Sequence, residues 1–363
     1  MSGAWAALDS MEELRLTPFA LGNILGGLFA VGGNVVIMGA TLRSTALRAN
    51  CNLLIAVLAA ADALSGSCFV LQAILVLSGN FVLSLRNCAR LWALLFFSLD
   101  TGSALILGVG LDRCLSLRQP IWYKNLRRGP YLSLIVGSSS LYGISVAAAA
   151  LTQSAQHPVA CIPPTALHGG VFMYWIGSNI VINVCVLLVY LLAYQRAKEL
   201  RDAEVIGSCG QAASRKTEQR HALVMSLVLV VHVYMASWLA TVLILAFSHL
   251  APLSPLTRFH VQPNSQLKQL KKPKLLEAYC GWLVLVNVGS NAWLYAWRSG
   301  LYRRQMAAFL HLEQPRSTAP LLSHPIHPPP SYGLLPAQPP GSLPEPARPA
   351  SRHTFVRLAS GPH

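Results

Sequence analysis

From Gly129 to Gln195 the chain reads GPYLSLIVGSSSLYGISVAAAALTQSAQHPVACIPPTALHGGVFMYWIGSNIVINVCVLLVYLLAYQ, 67 residues without one Asp, Glu, Lys or Arg. A helix that crosses a bilayer needs about 20 mostly apolar residues. This run is therefore too long for one span and long enough for two. A polar break containing Gln153, Gln156, His157, Pro158, Pro163 and Pro164 divides it. Upstream of it, Leu16 to Leu42 carries no charge, Ala49 to Leu85 only Asp62, and Leu91 to Leu111 only Asp100. Downstream, His221 to Thr257 and Ala278 to Trp297 are again charge-free. The spacing predicts seven membrane helices near 18–42, 52–77, 89–117, 131–151, 170–194, 221–248 and 275–297.

Composition agrees. Apolar residues are 53% of the 363 and charged residues only 11%, against about 25% in soluble domains. That excludes a disordered chain, a solvated nucleic-acid-binding domain and most soluble enzymes. The net charge of +15 sits in loops between apolar runs, where Lys and Arg set orientation. With the N-terminus outside, twenty of the 28 basic residues fall inside and eight outside. The expected topology is N-out, C-in, although a basic stretch at 249–274 runs against the trend. Residues 1–17 read as a short extracellular N-terminus, 18–310 as the seven-helix domain with a juxtamembrane helix, and 311–363 as a disordered Pro-rich cytoplasmic tail. After the last span, Leu301, Tyr302, Ala308 and Phe309 alternate with Arg303 and Arg304, as in a helix lying at the membrane interface.

No G-x-S-x-G, H-E-x-x-H or G-x-x-x-x-G-K-[ST] motif occurs, so no catalytic residues are expected. The eleven His show no metal-ligand spacing, and no C-x-x-C pair points to zinc. A transporter or channel would need several intramembrane charges or broken helices. Only Asp62 and Asp100 qualify.

At the end of the third span stands Asp112-Arg113-Cys114-Leu115-Ser116-Leu117-Arg118-Gln119-Pro120-Ile121-Trp122-Tyr123. It resembles the D-R-Y-x-x-[IVL]-x-x-P-[LI]-x-Y segment of rhodopsin-like (class A) G-protein-coupled receptors. Other segments fall in register: Gly33-Asn34 in the first span, Leu58-Ala59-Ala60-Ala61-Asp62 in the second, Tyr234-x-x-Ser237-Trp238-x-Ala240 in the sixth, and Asn291-Ala292-Trp293-Leu294-Tyr295 in the seventh. Ala240 and Ala292 replace the family's prolines, the fourth span has no Trp, and the fifth has no Pro. Such loose motifs look most like the nematode serpentine chemoreceptors of the Srsx type.

The resemblance implies a plasma-membrane, multi-pass receptor that converts binding of an extracellular small molecule or peptide into activation of a heterotrimeric G protein. A small-solute transporter, or a degenerate receptor that no longer signals, is the alternative. It implies a disulfide between Cys88, 25 residues before Arg113, and Cys161, the one cysteine of the second outer loop. It implies a G-protein switch built on Asp112, Arg113, Tyr123, Asn291 and Tyr295. It also implies a polar core of Asn34, Asp62, Asn287 and Asn291 holding water or an internal Na+. Gly102 stands where the family has a hydroxyl, which favours water over a tight Na+ site. The ligand pocket falls at Leu95, Phe96, Leu99, Trp238, Thr241, Val242 and Leu245, with Glu277 at the rim. Asp100 is expected to face the fourth and fifth spans and to bond a hydroxyl among Ser138, Ser139 and Ser140. No cofactor and no nucleic-acid partner is expected.

Overall fold

Apolar runs with no turn signal for 20 or more residues can satisfy their backbone in lipid only as helices, and the computed structural model consists mainly of helices. It describes residues 2–80, 82–206, 228, 231–245 and 275–312. The helices are α1 Ser2–Arg43, α2 Asn50–Leu77, α3 Leu85–Arg118, α4 Pro120–Lys124, α5 Arg128–Leu151, α6 Gly170–Ile206, α7 Val231–Leu245, α8 Leu275–Arg298 and α9 Gly300–Phe309. Five of them, α1, α2, α3, α5 and α6, are long and apolar enough to cross a membrane. The sixth expected span is described only within 221–248, as α7, and α8 coincides with the seventh.

Two helices exceed the expected bounds. α1 starts at Ser2 rather than near 18, running through Pro18, and α6 continues from 194 to Ile206. The charges that end an apolar run do not end a helix. Past Gln195 the α6 extension is made of good helix formers and carries an Arg196–Glu199 ion pair at 2.8 Å, three residues apart on one face. Residues 249–274 and 313–363 lie outside the described residues.

Burial ranks the helices. Two thirds (67%) of the apolar window of α3 is buried, against 22% for α5. α3 is thus the central post, with Trp92, Leu95, Phe96, Leu105, Ile106 and Val109 packed into the core. Leu134, Leu141, Ile144 and Leu151 of α5 remain exposed, on the face a bilayer would cover. Without a hydrophobic driving force between helices in lipid, close approach comes from small residues. A Cβ at Gly27 of α1 would sit 2.7 Å from the Gly66 carbonyl of α2, and one at Gly143 of α5 would run into Thr101 and the Phe97 carbonyl of α3. These glycines let α1 meet α2, and α5 meet α3, backbone to backbone.

One end of the bundle is closed by a two-stranded antiparallel ribbon, β1 (Val82–Ser84) and β2 (Pro158–Ala160), paired Val82 to Ala160 and Ser84 to Pro158. The Cys88–Cys161 disulfide adjoins it and ties the start of α3 to the loop before α6. Both cysteines are buried.

Candidate functional site

α3 carries chemistry at both ends. Opposite the disulfide, the Asp112 side chain is fully buried while that of Arg113 is 17% exposed. Asp112 Oδ2 accepts from Arg113 Nη2 at 2.6 Å and Nε at 3.1 Å. Its Oδ1 accepts from the hydroxyls of Tyr123 at 2.7 Å and Tyr131 at 3.1 Å. Four donors from α3, α4 and α5 converge on one carboxylate. Hydrogen bonds to a charged group contribute about 1.5–3 kcal/mol each, so the pair is held firmly in one arrangement. Tyr123 lies outside the spans. Burial, reinforced by its bond to the Asp112 carboxylate, pushes its phenol above the ordinary range, so it remains a donor at neutral pH. Tyr131 stacks edge-on against Tyr123, with centroids 6.3 Å apart. Sequence reasoning missed Tyr131, whose only signal is its place in the first turn of α5, next to the matched segment.

The other two residues expected at the switch lie elsewhere. Tyr295 stacks on Tyr302 of α9 at 5.7 Å, and Asn291 reaches Asp62. Neither touches Arg113 through a described hydrogen bond. α9 packs back on the bundle: Phe309 lies over Gly39, and Arg43 sits 4.9 Å above its ring. Arg303 and Arg304 stay exposed.

At mid-bundle, Asn291 Nδ2 donates to Asp62 Oδ2 at 2.5 Å. Asn34 belongs to the same level but not to the same bond network. Its amide donates to the carbonyls of Ala30 at 2.9 Å and Val288 at 3.0 Å, pinning α1 to α8. Asn287 is buried beside them. The side-chain oxygens of Asn34, Asn287 and Asn291 accept no hydrogen bond among the described residues. Buried acceptors left unmade cost about 1–3 kcal/mol each, so this donor set fits either water or a cation. A Cβ at Gly102 would be 3.7 Å from Asp62 Oδ1, which places the missing family hydroxyl beside the carboxylate. Among the described residues no group of three or more His, Cys, Asp and Glu could hold a metal.

Toward the disulfide end an apolar cavity opens between α2, α3, α6, α7, α8 and the loop that follows β2. Leu95, Phe96, Leu99, Trp238, Thr241 and Leu245 line it as expected. Val242 does not. It packs on the neighbouring core, because one residue along a helix turns the side chain by about 100° from Thr241. The Glu277 side chain lies outside the described residues. Phe69, Gln72, Pro163, Pro164, Trp175 and Val284 complete much of the wall and were not expected. Their contribution depends on helix rotation and, for Pro163 and Pro164, on how the loop after β2 folds over the bundle, which no local motif encodes. Trp175 joins Phe96 (5.7 Å) and Trp238 (6.0 Å) in an edge-to-face aromatic cluster, a packing aromatic rings prefer.

Asp100 lies behind this cavity, not in it. It faces α5 and α6 as expected, but its partners are Asn179 Nδ2 at 2.8 Å and the Tyr142 hydroxyl at 3.4 Å rather than Ser138, Ser139 or Ser140. Ser138 bonds its own helix at the Ile135 carbonyl. The longer Tyr142 side chain reaches across the gap that a serine leaves open.

A family model described as the serpentine type seven-transmembrane G-protein-coupled chemoreceptor Srsx matches residues 27–310, most of the chain. No curated protein gives a match.

Proposed function

The chain belongs to the Srsx family of serpentine seven-transmembrane G-protein-coupled chemoreceptors, and on that premise we propose how its two ends divide the work. The cavity beneath the disulfide receives an extracellular chemical ligand. The buried Asp112–Arg113 pair holds the transducer face at rest, and its release lets Arg113 contact a heterotrimeric G protein. The protein is a multi-pass membrane receptor. In this reading it carries out no catalysis, and its N-terminus lies outside, on the side of the disulfide, where an oxidising medium preserves such a bond.

The observation that carries this reading is that both features sit on α3. Leu95, Phe96 and Leu99 line the cavity, and Arg113 follows Leu99 by fourteen residues, about 21 Å at 1.5 Å per residue. A side chain that far from the ligand acts on the transducer alone. Coupling then requires the bundle to have two arrangements that the ligand binds unequally. The mid-bundle cluster at Asp62 suits that role. Its orphan amide oxygens and carboxylate hold water more readily than a tightly bound Na+, because Gly102 supplies no hydroxyl ligand.

The test is full-length receptor in lipid nanodiscs with purified heterotrimeric G protein, screened against uncharged and charged volatile compounds for ligand-dependent nucleotide exchange. Exchange that rises with at least one compound supports the reading. No exchange with any compound, from folded receptor that binds the G protein, would leave a receptor that has lost signalling. Solute flux in liposomes would replace the reading with transport.

A further inference from the structure

Resting on the reading that this cavity takes the ligand, we propose that Gln72 selects it. The ligand is an uncharged, mostly apolar molecule whose carbonyl or ether oxygen accepts a hydrogen bond from the Gln72 amide.

The direction of that amide follows from a relay of three residues on three helices. An indole N–H can only donate, and Trp282 Nε1 of α8 donates to Asn23 Oδ1 of α1 at 3.0 Å. With its oxygen occupied, Asn23 turns its Nδ2 to the other side, where it donates to Gln72 Oε1 of α2 at 3.3 Å. Turning Gln72 over would set two amide donors against each other. The Gln72 oxygen is therefore used, and Nε2 is the end left over. It donates to no partner among the described residues, yet Gln72 is only 2% exposed and forms part of the cavity wall. Asn23 is fully buried as well. Nε2 is not enclosed by protein as the orphan oxygens of the mid-bundle cluster are; on the cavity wall it is a donor for which a ligand oxygen would supply the acceptor.

The rest of the wall defines the ligand's body. Among the described residues of the wall there is no Asp, Glu, Lys, Arg or His, so these residues offer no counter-charge to an ammonium or a carboxylate. Thr241 has already given its hydroxyl proton to the Ser237 carbonyl at 2.8 Å. Phe69, Phe96, Trp175 and Trp238 offer ring faces and edges to an apolar skeleton. Asn23 and Trp282 are positioning residues that fix the sense of the Gln72 amide.

The experiment uses matched pairs that exchange C=O for C=CH2 with little change of shape: cyclohexanone with methylenecyclohexane, and 2-heptanone with 2-methyl-1-heptene. Dissociation constants are measured by ligand-observed NMR on full-length receptor in nanodiscs. Each ketone should bind roughly tenfold tighter than its hydrocarbon, the scale of one neutral hydrogen bond in an apolar site. Gln72→Leu should bring that ratio to about one while leaving hydrocarbon affinity within about twofold. If that variant does not fold, Gln72→Met, which keeps the side-chain length, makes the same measurement. Trp282→Phe should lower the ratio with Gln72 intact, because the amide is then free to turn. A ratio near one in the wild type, no binding by either member of a pair, or a ratio that survives at Gln72→Leu or Gln72→Met overturns the proposal. Nucleotide exchange on the same samples separates the two readings: a ketone preference without any exchange supports Gln72 and removes the receptor mechanism.

Discussion

Asp112→Asn is the most informative single change, because it removes charge from a group whose four donors are all placed. The substitution keeps the volume and one acceptor oxygen. A neutral amide oxygen can still take the Tyr123 or Tyr131 hydroxyl, but the new NH2 faces Arg113 Nε and Nη2, donor against donor. Breaking a buried ion pair costs about 3–5 kcal/mol. Arg113 is partly exposed and regains water, so we take about 2 kcal/mol as the loss specific to the resting arrangement. That is roughly a thirtyfold change in the ratio of released to latched receptor. A receptor about 1% active at rest would then be roughly one fifth active without ligand. The phenols provide a graded control. Tyr123→Phe and Tyr131→Phe each delete one bond to Oδ1 and should raise the ratio of released to latched receptor roughly twelvefold, the effect of about 1.5 kcal/mol. Because they share an oxygen, the double variant should fall short of the product. The assay is ligand-free nucleotide exchange by added G protein at matched density of folded receptor. Unchanged basal exchange in Asp112→Asn would refute the latch, and with it the use of four converging donors as evidence for a switch.

Three further outcomes follow from the same geometry. Arg113→Ala should abolish G-protein activation while leaving ligand affinity within about twofold, since the residue is some 21 Å from the cavity; a full response would overturn the transducer role. Cys88→Ser should greatly reduce surface expression, because the bridge closes a loop of 73 residues, worth about 4 kcal/mol in the chain-entropy account; peptide mapping under non-reducing conditions checks that the bridge forms in cells. Gly143→Val should lower the thermal midpoint of purified receptor by several degrees, because its Cβ would meet Thr101 and the Phe97 backbone; an unchanged midpoint would show that α3 and α5 can separate there freely.

The polar groups show where sequence reasoning stops. Asp62 is the one charged residue of α2 and Asn291 a polar residue deep in α8; such groups must find each other or water, so their 2.5 Å bond was foreseeable. Asn34 was legible as a core residue for the same reason. That it spends its amide on two carbonyls was not, because backbone acceptors at Val288 become available only where α8 crosses α1. Asp100 was correctly turned toward the next two spans, but its partners are Asn179 of α6 and Tyr142, just past the serines. Short hydroxyl side chains in a helix satisfy themselves on their own carbonyls, as Ser138 does.

The family resemblance implied which two cysteines bridge; what the sequence determined by itself is whatever solvent imposes on a segment: which runs must be helical and which end of α3 carries a charged pair. Those follow from local composition, because a bilayer penalises every unpaired backbone group and every lone charge wherever the helix stands. What only the tertiary structure decided is the rotation of each helix about its axis and the partners that result. Val242 leaves the cavity and Trp175 enters it through turns of about 100° per residue. Tyr131 joins Tyr123 on one carboxylate across three elements. Asn23, Gln72 and Trp282, up to 259 positions apart, form a relay whose direction is set by the indole donor at its end. The energy that fixes such choices lies between helices, in close glycine contacts and directional hydrogen bonds, and no segment contains it alone.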